Sequence, residues 1–272
     1  MKGFSDQNKV NKEPKKSDKK TKVSQEQIIS QAFRYHSQGN IKEAAKLYQQ
    51  FINQGFTDHR VLSNYGVILS NIGKLKEAEI SYRKAIEIKP NYAEAHSNLG
   101  NILKDLGNLQ DAELYTRKAI EINPDYADAH YNLGNILKDL GNLQGAVISY
   151  RKAIEINPDF AEAYSNLGNI LKDLGNLQDA EISYRKAIAI NPDYADAHYN
   201  LGNILKDLGN LQEAELSYRK AIELKPNFAD AAWNLSHLAN TIEEAEERIN
   251  QCLKIDENHL DAKLTLSALK LH

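Results

Sequence analysis

Glycine recurs every 34 residues through the middle of this 272-residue chain, at Gly66, Gly100, Gly134, Gly168 and Gly202, and again at Gly73, Gly107, Gly141, Gly175 and Gly209. Proline keeps the same step at Pro90, Pro124, Pro158, Pro192 and Pro226. The segment NPDYADAHYNLGNILKDLGNLQ at 123–144 returns unchanged at 191–212, two steps later. A fixed period of this length marks a supersecondary unit that cannot bury its apolar face alone and must stack on copies of itself.

The stretch from Ala93 to Tyr126 shows how one unit folds. Ala95, Leu99, Ile102, Leu103 and Leu106 fall on one face at helical spacing. Gly107 permits the left-handed turn that stops this helix. Asn108 is placed to cap the next helix, and Asp111 to favour its N-terminal dipole. Leu109, Ala112, Ala119 and Ile120 give the second helix its stripe, and Pro124 ends it. Gly100 and Ala112 are small where the two helices approach. The unit is a helix hairpin.

The run AEAHSNLGNILKDLGNLQDAELYTRKAIEINPDY resembles the tetratricopeptide repeat, with its small–Gly–small–Ala–Pro landmarks in place. The likeness extends over residues 25–259, with units starting at Gln25, His59, Ala93, Ala127, Ala161, Ala195 and Ala229. It implies an all-α, right-handed superhelical solenoid of about seven antiparallel hairpins. The first unit is degenerate, with Ala32 and Phe56 replacing glycine and proline, and the seventh lacks three residues near its inter-helix turn. Residues 260–272 are expected to form a capping helix. Gly145 replaces the acid found as Glu77, Asp111, Asp179 or Glu213, which should weaken that helix start, and Tyr115–Thr116 departs from the Ser-Tyr order of Ser149–Tyr150.

Residues 1–24 hold eight lysines against Asp6, Glu13 and Asp18, a charge of +5 within a chain of net −3. The body is therefore acidic, which argues against nucleic acid as a partner. This Lys-rich tail is expected to be disordered and solubilising. It has no apolar core typical of a secretory signal, and no run reaches the ~20 apolar residues of a membrane span, so the expected location is cytoplasmic without membrane insertion. Cys252 stands alone, which excludes an intramolecular disulfide, and it takes the place of Ala221 as a small core residue.

No motif carries catalysis: there is no GxxxxGK[ST], HExxH or GxSxG. His96, His130 and His198 occupy equivalent sites about 10 Å or more apart, too far to share a zinc ion, and read as filling between hairpins. The chain is expected to be non-enzymatic, with no metal and no cofactor.

The candidate site is a ladder of asparagines. Asn64, Asn98, Asn132, Asn166, Asn200 and Asn234 form one row, and Asn101, Asn135, Asn169 and Asn203 a second, three residues on. Asparagine is a mediocre helix former, so its repetition inside the first helix has a cause. Glu94, Asn98, Asn101 and Asp105 make a single stripe opposite the apolar face. Lys104, Lys138, Lys172 and Lys206 border it. An amide offers both a donor and an acceptor, matching the backbone of an extended polypeptide.

Among tetratricopeptide proteins the resemblance is to the repeat region of protein O-GlcNAc transferases, where an asparagine at this site contacts the target peptide backbone. It implies a concave groove, lined by the first helices, that holds an extended peptide or protein segment. Seven units at ~10 Å each would span about 20 extended residues. The competing reading is that the asparagines bond to one another across adjacent helices. Tyr131, Tyr199 and Trp233 could stack on ligand side chains. A carboxylate clamp for chaperone tails is not expected, because Ser97, Tyr131, Ser165 and Tyr199 stand where a basic residue is needed. Two alternatives to a binding scaffold are a substrate-presenting region of a glycosyl- or sulfotransferase whose catalytic domain lies elsewhere, and self-assembly by end-to-end stacking.

Overall fold

The computed structural model describes residues 17–269, with side chains from residue 25 onward. Every regular element among them is an α-helix, and the chain divides between Asn98 and Leu99 into two compact units. The first contains α1 (Ser17–Ser37), α2 (Ile41–Asn53), α3 (His59–Asn71), α4 (Leu75–Ile88) and the start of α5 (Ala93–Asp105). The second contains the rest of α5, then α6 (Leu109–Ile122), α7 (Ala127–Asp139), α8 (Leu143–Ile156), α9 (Ala161–Asp173), α10 (Leu177–Ile190), α11 (Ala195–Asp207), α12 (Leu211–Leu224), α13 (Ala229–Ser236), α14 (Ile242–Ile255) and α15 (Leu260–Leu269).

The expected hairpins are present, and two boundaries move. Helix α1 begins at Ser17, so residues 17–24 of the expected disordered tail are helical, while residues 1–16 lie outside the described residues. The three-residue deletion shortens α13 to eight residues against thirteen in α7, α9 and α11. The capping helix α15 is described to Leu269.

Within a hairpin, the turn and the close approach use the two glycines differently. Gly141 sits at φ 78°, its N–H bonded to the Lys138 carbonyl while Asn142 N–H reaches back to Leu137, closing α7 in a left-handed cap. Gly134 lies beneath the Tyr150 ring; a Cβ there would stand 2.5 Å from Tyr150 Cε1. Tyr184 covers Gly168 and Tyr218 covers Gly202 in the same way. These fully buried tyrosines join Leu133, Leu137, Leu167, Ile170, Leu201 and Ile204 in the core of the second unit. In the first unit Ala32, Ala44, Tyr48, Phe51, Val61 and Ile68 form the main cluster.

Two local expectations are corrected. Asn108 does not cap α6; its Nδ2 donates instead to Asp111 at 2.8 Å. The side-chain cap forms at Asn142, whose Oδ1 accepts from Gly145 N–H at 3.0 Å, in the one such unit that lacks the acid. The absent carboxylate and the formed cap therefore offset each other. The histidines do more than fill space: Nε2–H of His96, His130 and His198 donates to the carbonyls of Pro90, Pro124 and Pro192 at 2.8, 2.9 and 2.9 Å. Each ties its helix to the turn that precedes it. Cys252 is fully buried, and burial pushes its thiol up to about 11, as suits an inert core residue.

Thr116 stands at the tyrosine site of α6, packed on Gly100, and its Oγ1 is buried without a partner. An unsatisfied buried hydroxyl costs about 1–3 kcal/mol. Thr116→Val keeps the branched shape and should stabilise the chain by about 1 kcal/mol, read as a higher denaturant midpoint at unchanged slope.

At the C-terminal end, the buried Arg248 guanidinium donates to the Leu235 carbonyl at 2.9 Å, to Glu215 at 2.8 Å and to Glu244. Arg219, with Arg248 adding to it, holds the Glu215 carboxyl below its usual range. A carboxyl lowered in the folded state contributes its full stabilisation above the unfolded value and loses it as pH falls through the folded one. Melting temperature should therefore drop below the ordinary carboxylate range, and Glu215→Gln should make that drop shallower when melts are compared across pH.

Candidate functional site

The asparagine rows meet across hairpins in the second unit. Tyr150 O–H donates to Asn135 Oδ1 at 2.8 Å, and Asn166 Nδ2 donates to the same oxygen at 3.0 Å and to Tyr131 Oη at 3.0 Å. Two units on, Tyr218 O–H donates to Asn203 Oδ1 at 2.8 Å, while Asn234 Nδ2 donates to Asn203 Oδ1 at 2.9 Å and Tyr199 Oη at 3.2 Å. Between them, Tyr184 O–H donates to Asn169 Oδ1 at 2.8 Å, and Asn200 Nδ2 reaches that oxygen at 3.3 Å. The inter-helix bonding weighed from sequence is thus present.

The tyrosines set the polarity of this network. Burial raises the phenols of Tyr150, Tyr184 and Tyr218 far above the ordinary tyrosine value, so each remains an O–H donor at neutral pH. A donor fixed on the second-row Oδ1 assigns that amide, and the first-row Nδ2 then has an acceptor to find. The oxygens of Asn166 and Asn200 and the amide nitrogens of Asn135, Asn169 and Asn203 are left over. Among the described residues nothing donates to Oδ1 of Asn166 or Asn200, whereas Asn234 Oδ1 receives Lys206 Nζ at 3.5 Å.

A second pattern runs at twice the repeat. Tyr131 packs on Phe160 with ring centroids 4.8 Å apart, and Tyr199 on Phe228 at 4.7 Å. At the intervening junction the small Ser165 lies beside Tyr194. In the first unit Ser63 lies beside Tyr92. Two Tyr–Phe junctions thus flank one Ser–Tyr junction in the second unit. Tyr131 and Tyr199 are held in this packing, with their hydroxyls turned to Asn166 and Asn234. Trp233 packs against His237 and His259, toward the C-terminal cluster of Ala232, Ile249, Cys252 and Ala262.

The remaining candidates are more scattered. Asn132 is buried, and Asn64 Nδ2 lies 3.5 Å from Tyr48 Oη in the first unit. Asn98 and Asn101 are half-buried, and Asn101 has no tyrosine donor because Thr116 takes that position. Lys104 and Lys138 turn to their neighbours Asp105 and Asp139 at 3.3 and 3.6 Å, and Lys172 is exposed. Sequence reading missed Tyr150, Tyr184 and Tyr218 as partners of the ladder. Their constant spacing of 15 residues after Asn135, Asn169 and Asn203 was the available signal. Among the described residues there is no cluster of metal-binding side chains and no helix long and apolar enough to cross a membrane.

Tyr184→Phe removes the donor to Asn169 while keeping the ring on Gly168. It should cost about 1–2 kcal/mol, and urea unfolding at matched helical content measures it.

Models of the tetratricopeptide repeat match residues 66–107, 117–141, 134–175 and 168–209, and also 93–126 and 195–228. No curated protein matches the chain. Among solved structures, the chain is similar to YrrB, described as a tetratricopeptide repeat protein with an unusual peptide-binding site. Identity is 25% and the TM-score 0.58, over 68% of this chain and 96% of that one. MamA is 28% identical with a TM-score of 0.55, over 61% of this chain and 96% of that one. PilF of Pseudomonas aeruginosa shares the fold at 19% identity and a TM-score of 0.70, covering 77% of this chain and 97% of that one.

Proposed function

Because the chain belongs to the tetratricopeptide repeat family, we propose that it is a non-catalytic binding scaffold. On this reading the asparagine face of its first helices holds an extended polypeptide by the backbone. The observation that supports it is the polarity of the two rows: acceptors remain on Asn166 and Asn200, and donors on Asn135, Asn169 and Asn203. An extended chain with a threefold, polyproline-II-like twist rises about 3.1 Å per residue, so units about 10 Å apart would meet equivalent backbone N–H and C=O groups every third residue. The peptide-binding YrrB is a neighbour in fold. Grip through backbone groups favours modest affinity and broad sequence tolerance.

The first-row amides are not equivalent on this reading. Asn166 commits both its N–H groups, to Tyr131 and Asn135, whereas Asn200 makes one bond at 3.3 Å because Ser165 stands at the tyrosine position. Asn200 therefore retains a donor beside its acceptor and can take a peptide group bidentately. Asn200→Ala should weaken binding about tenfold, worth ~1.4 kcal/mol, with little loss of stability; Asn166→Ala should lose stability first. Anisotropy with a library of unstructured 20-residue peptides, alongside thermal melts, separates the two. Equal binding by Asn200→Ala and wild type would reduce the rows to packing groups. A library that selects hydroxyl-bearing segments would favour the alternative of a substrate-presenting region for a glycosyl- or sulfotransferase.

A further inference from the structure

Two equivalent surface cavities lie 68 residues apart in sequence, away from the asparagine rows. One, of about 450 Å³, is lined by Ile120, Leu133 and Ile148, with Arg117, His130 and Lys152 around them. The other, of about 420 Å³, has Ile188, Leu201 and Leu216, with Arg185, His198 and Lys220. Ile148 and Leu216 belong to a row of aliphatic side chains, with Ile80, Leu114 and Ile182, that the second helices expose once per repeat; Ile148 is the most exposed, at 70%.

The cavities differ in one acid. Arg185 donates Nε to Glu181 at 2.8 Å and Nη2 to Glu213, on the following hairpin, at 2.6 Å. Arg117 turns both Nε and Nη2 to its intrahelical partner, Glu113, at 2.8 Å, and the residue equivalent to Glu213 is Gly145. Val147 likewise replaces the glutamate of the neighbouring repeats, and α8, with Arg151 and Lys152 against Glu155, is the one helix of α4, α6, α8, α10 and α12 with a positive balance. Glu121, the acid in the lining, is drawn to Lys118 at 2.8 Å. The protein thus displays, at Arg185, what a second carboxylate does in this geometry, and beside Arg117, whose Nη2 has Glu113 alone, the following hairpin supplies none.

We propose that the α6–α8 cavity docks a short acidic segment of a partner protein, one aliphatic side chain entering between Ile120, Leu133 and Ile148 and an adjacent carboxylate taking the place on Arg117 that Glu213 takes on Arg185. The apolar contact supplies most of the attraction and the carboxylate the selection, since exposed ion pairs are individually weak. This site is independent of the asparagine face, and its occupant is told from that of the groove by needing charge rather than length.

The test is fluorescence anisotropy of the full chain with a labelled, end-blocked pentapeptide carrying one leucine between two glutamates. The glutamine version of the peptide should bind at least fivefold more weakly. Gly145→Glu provides the missing acid internally and should weaken binding at least threefold more than the neutral isostere Gly145→Gln. Ile148→Ser, at a site too exposed to endanger folding, should also lose at least tenfold. Equal binding of the two peptides, equal behaviour of the two Gly145 variants, or no binding to the wild type would overturn the proposal.

Discussion

The hairpins α7–α8, α9–α10 and α11–α12 are each held by one tyrosine packed against one glycine. The ring of Tyr150, Tyr184 or Tyr218 lies where a Cβ on Gly134, Gly168 or Gly202 would collide with it. A buried aromatic brings a large apolar area into the core, and its hydroxyl must then find a partner. It finds the second-row asparagine of the same hairpin. That oxygen in turn accepts the first-row amide of the next hairpin. One packing contact therefore both closes a unit and orients the polar groups that link it to its neighbour. The exception supports the point: with Thr116 at this site, the hydroxyl is stranded.

The coupling reconciles the two meanings weighed for the ladder. Asparagines that bond across hairpins are structural, yet an amide has more valences than the lattice uses. Fixing the oxygens of Asn135, Asn169 and Asn203 and the nitrogens of Asn166 and Asn200 leaves complementary atoms of these residues uncommitted. Disordered amides could rotate to satisfy one another and would present no such arrangement. The lattice thus uses one set of atoms on these residues and leaves another set for the binding proposed above.

The architecture was legible because periodicity is a property of sequence alone. Glycine, proline and the apolar stripe placed the hairpins, and the missing residues near 240 foretold the short α13. The site was legible only as a list of positions. Asn166 and Asn200 look alike in sequence, and their difference arises 35 residues away, where Tyr131 meets one and Ser165 the other. The caps were misread for a related reason: Asn108 and Asn142 are equivalent by position, but Asp111 captures the first side chain while Gly145 offers the second a free N–H. Local propensity ranks residues one at a time, whereas these choices are competitions between neighbours.

That competition explains how the fourth hairpin can differ from its copies without weakening. Removing the acid at 145 takes away a favourable charge at a helix N-terminus, a loss of a few tenths to about 1 kcal/mol. It also frees Asn142, because the carboxylate that holds the Asn108 side chain has no counterpart there. A side-chain cap of about the same worth replaces what was lost. The substitution is therefore close to neutral for folding while it changes the charge on the outside of the hairpin. In an array where every unit answers to the same packing rule, positions of that kind are where one repeat can become chemically distinct from the rest.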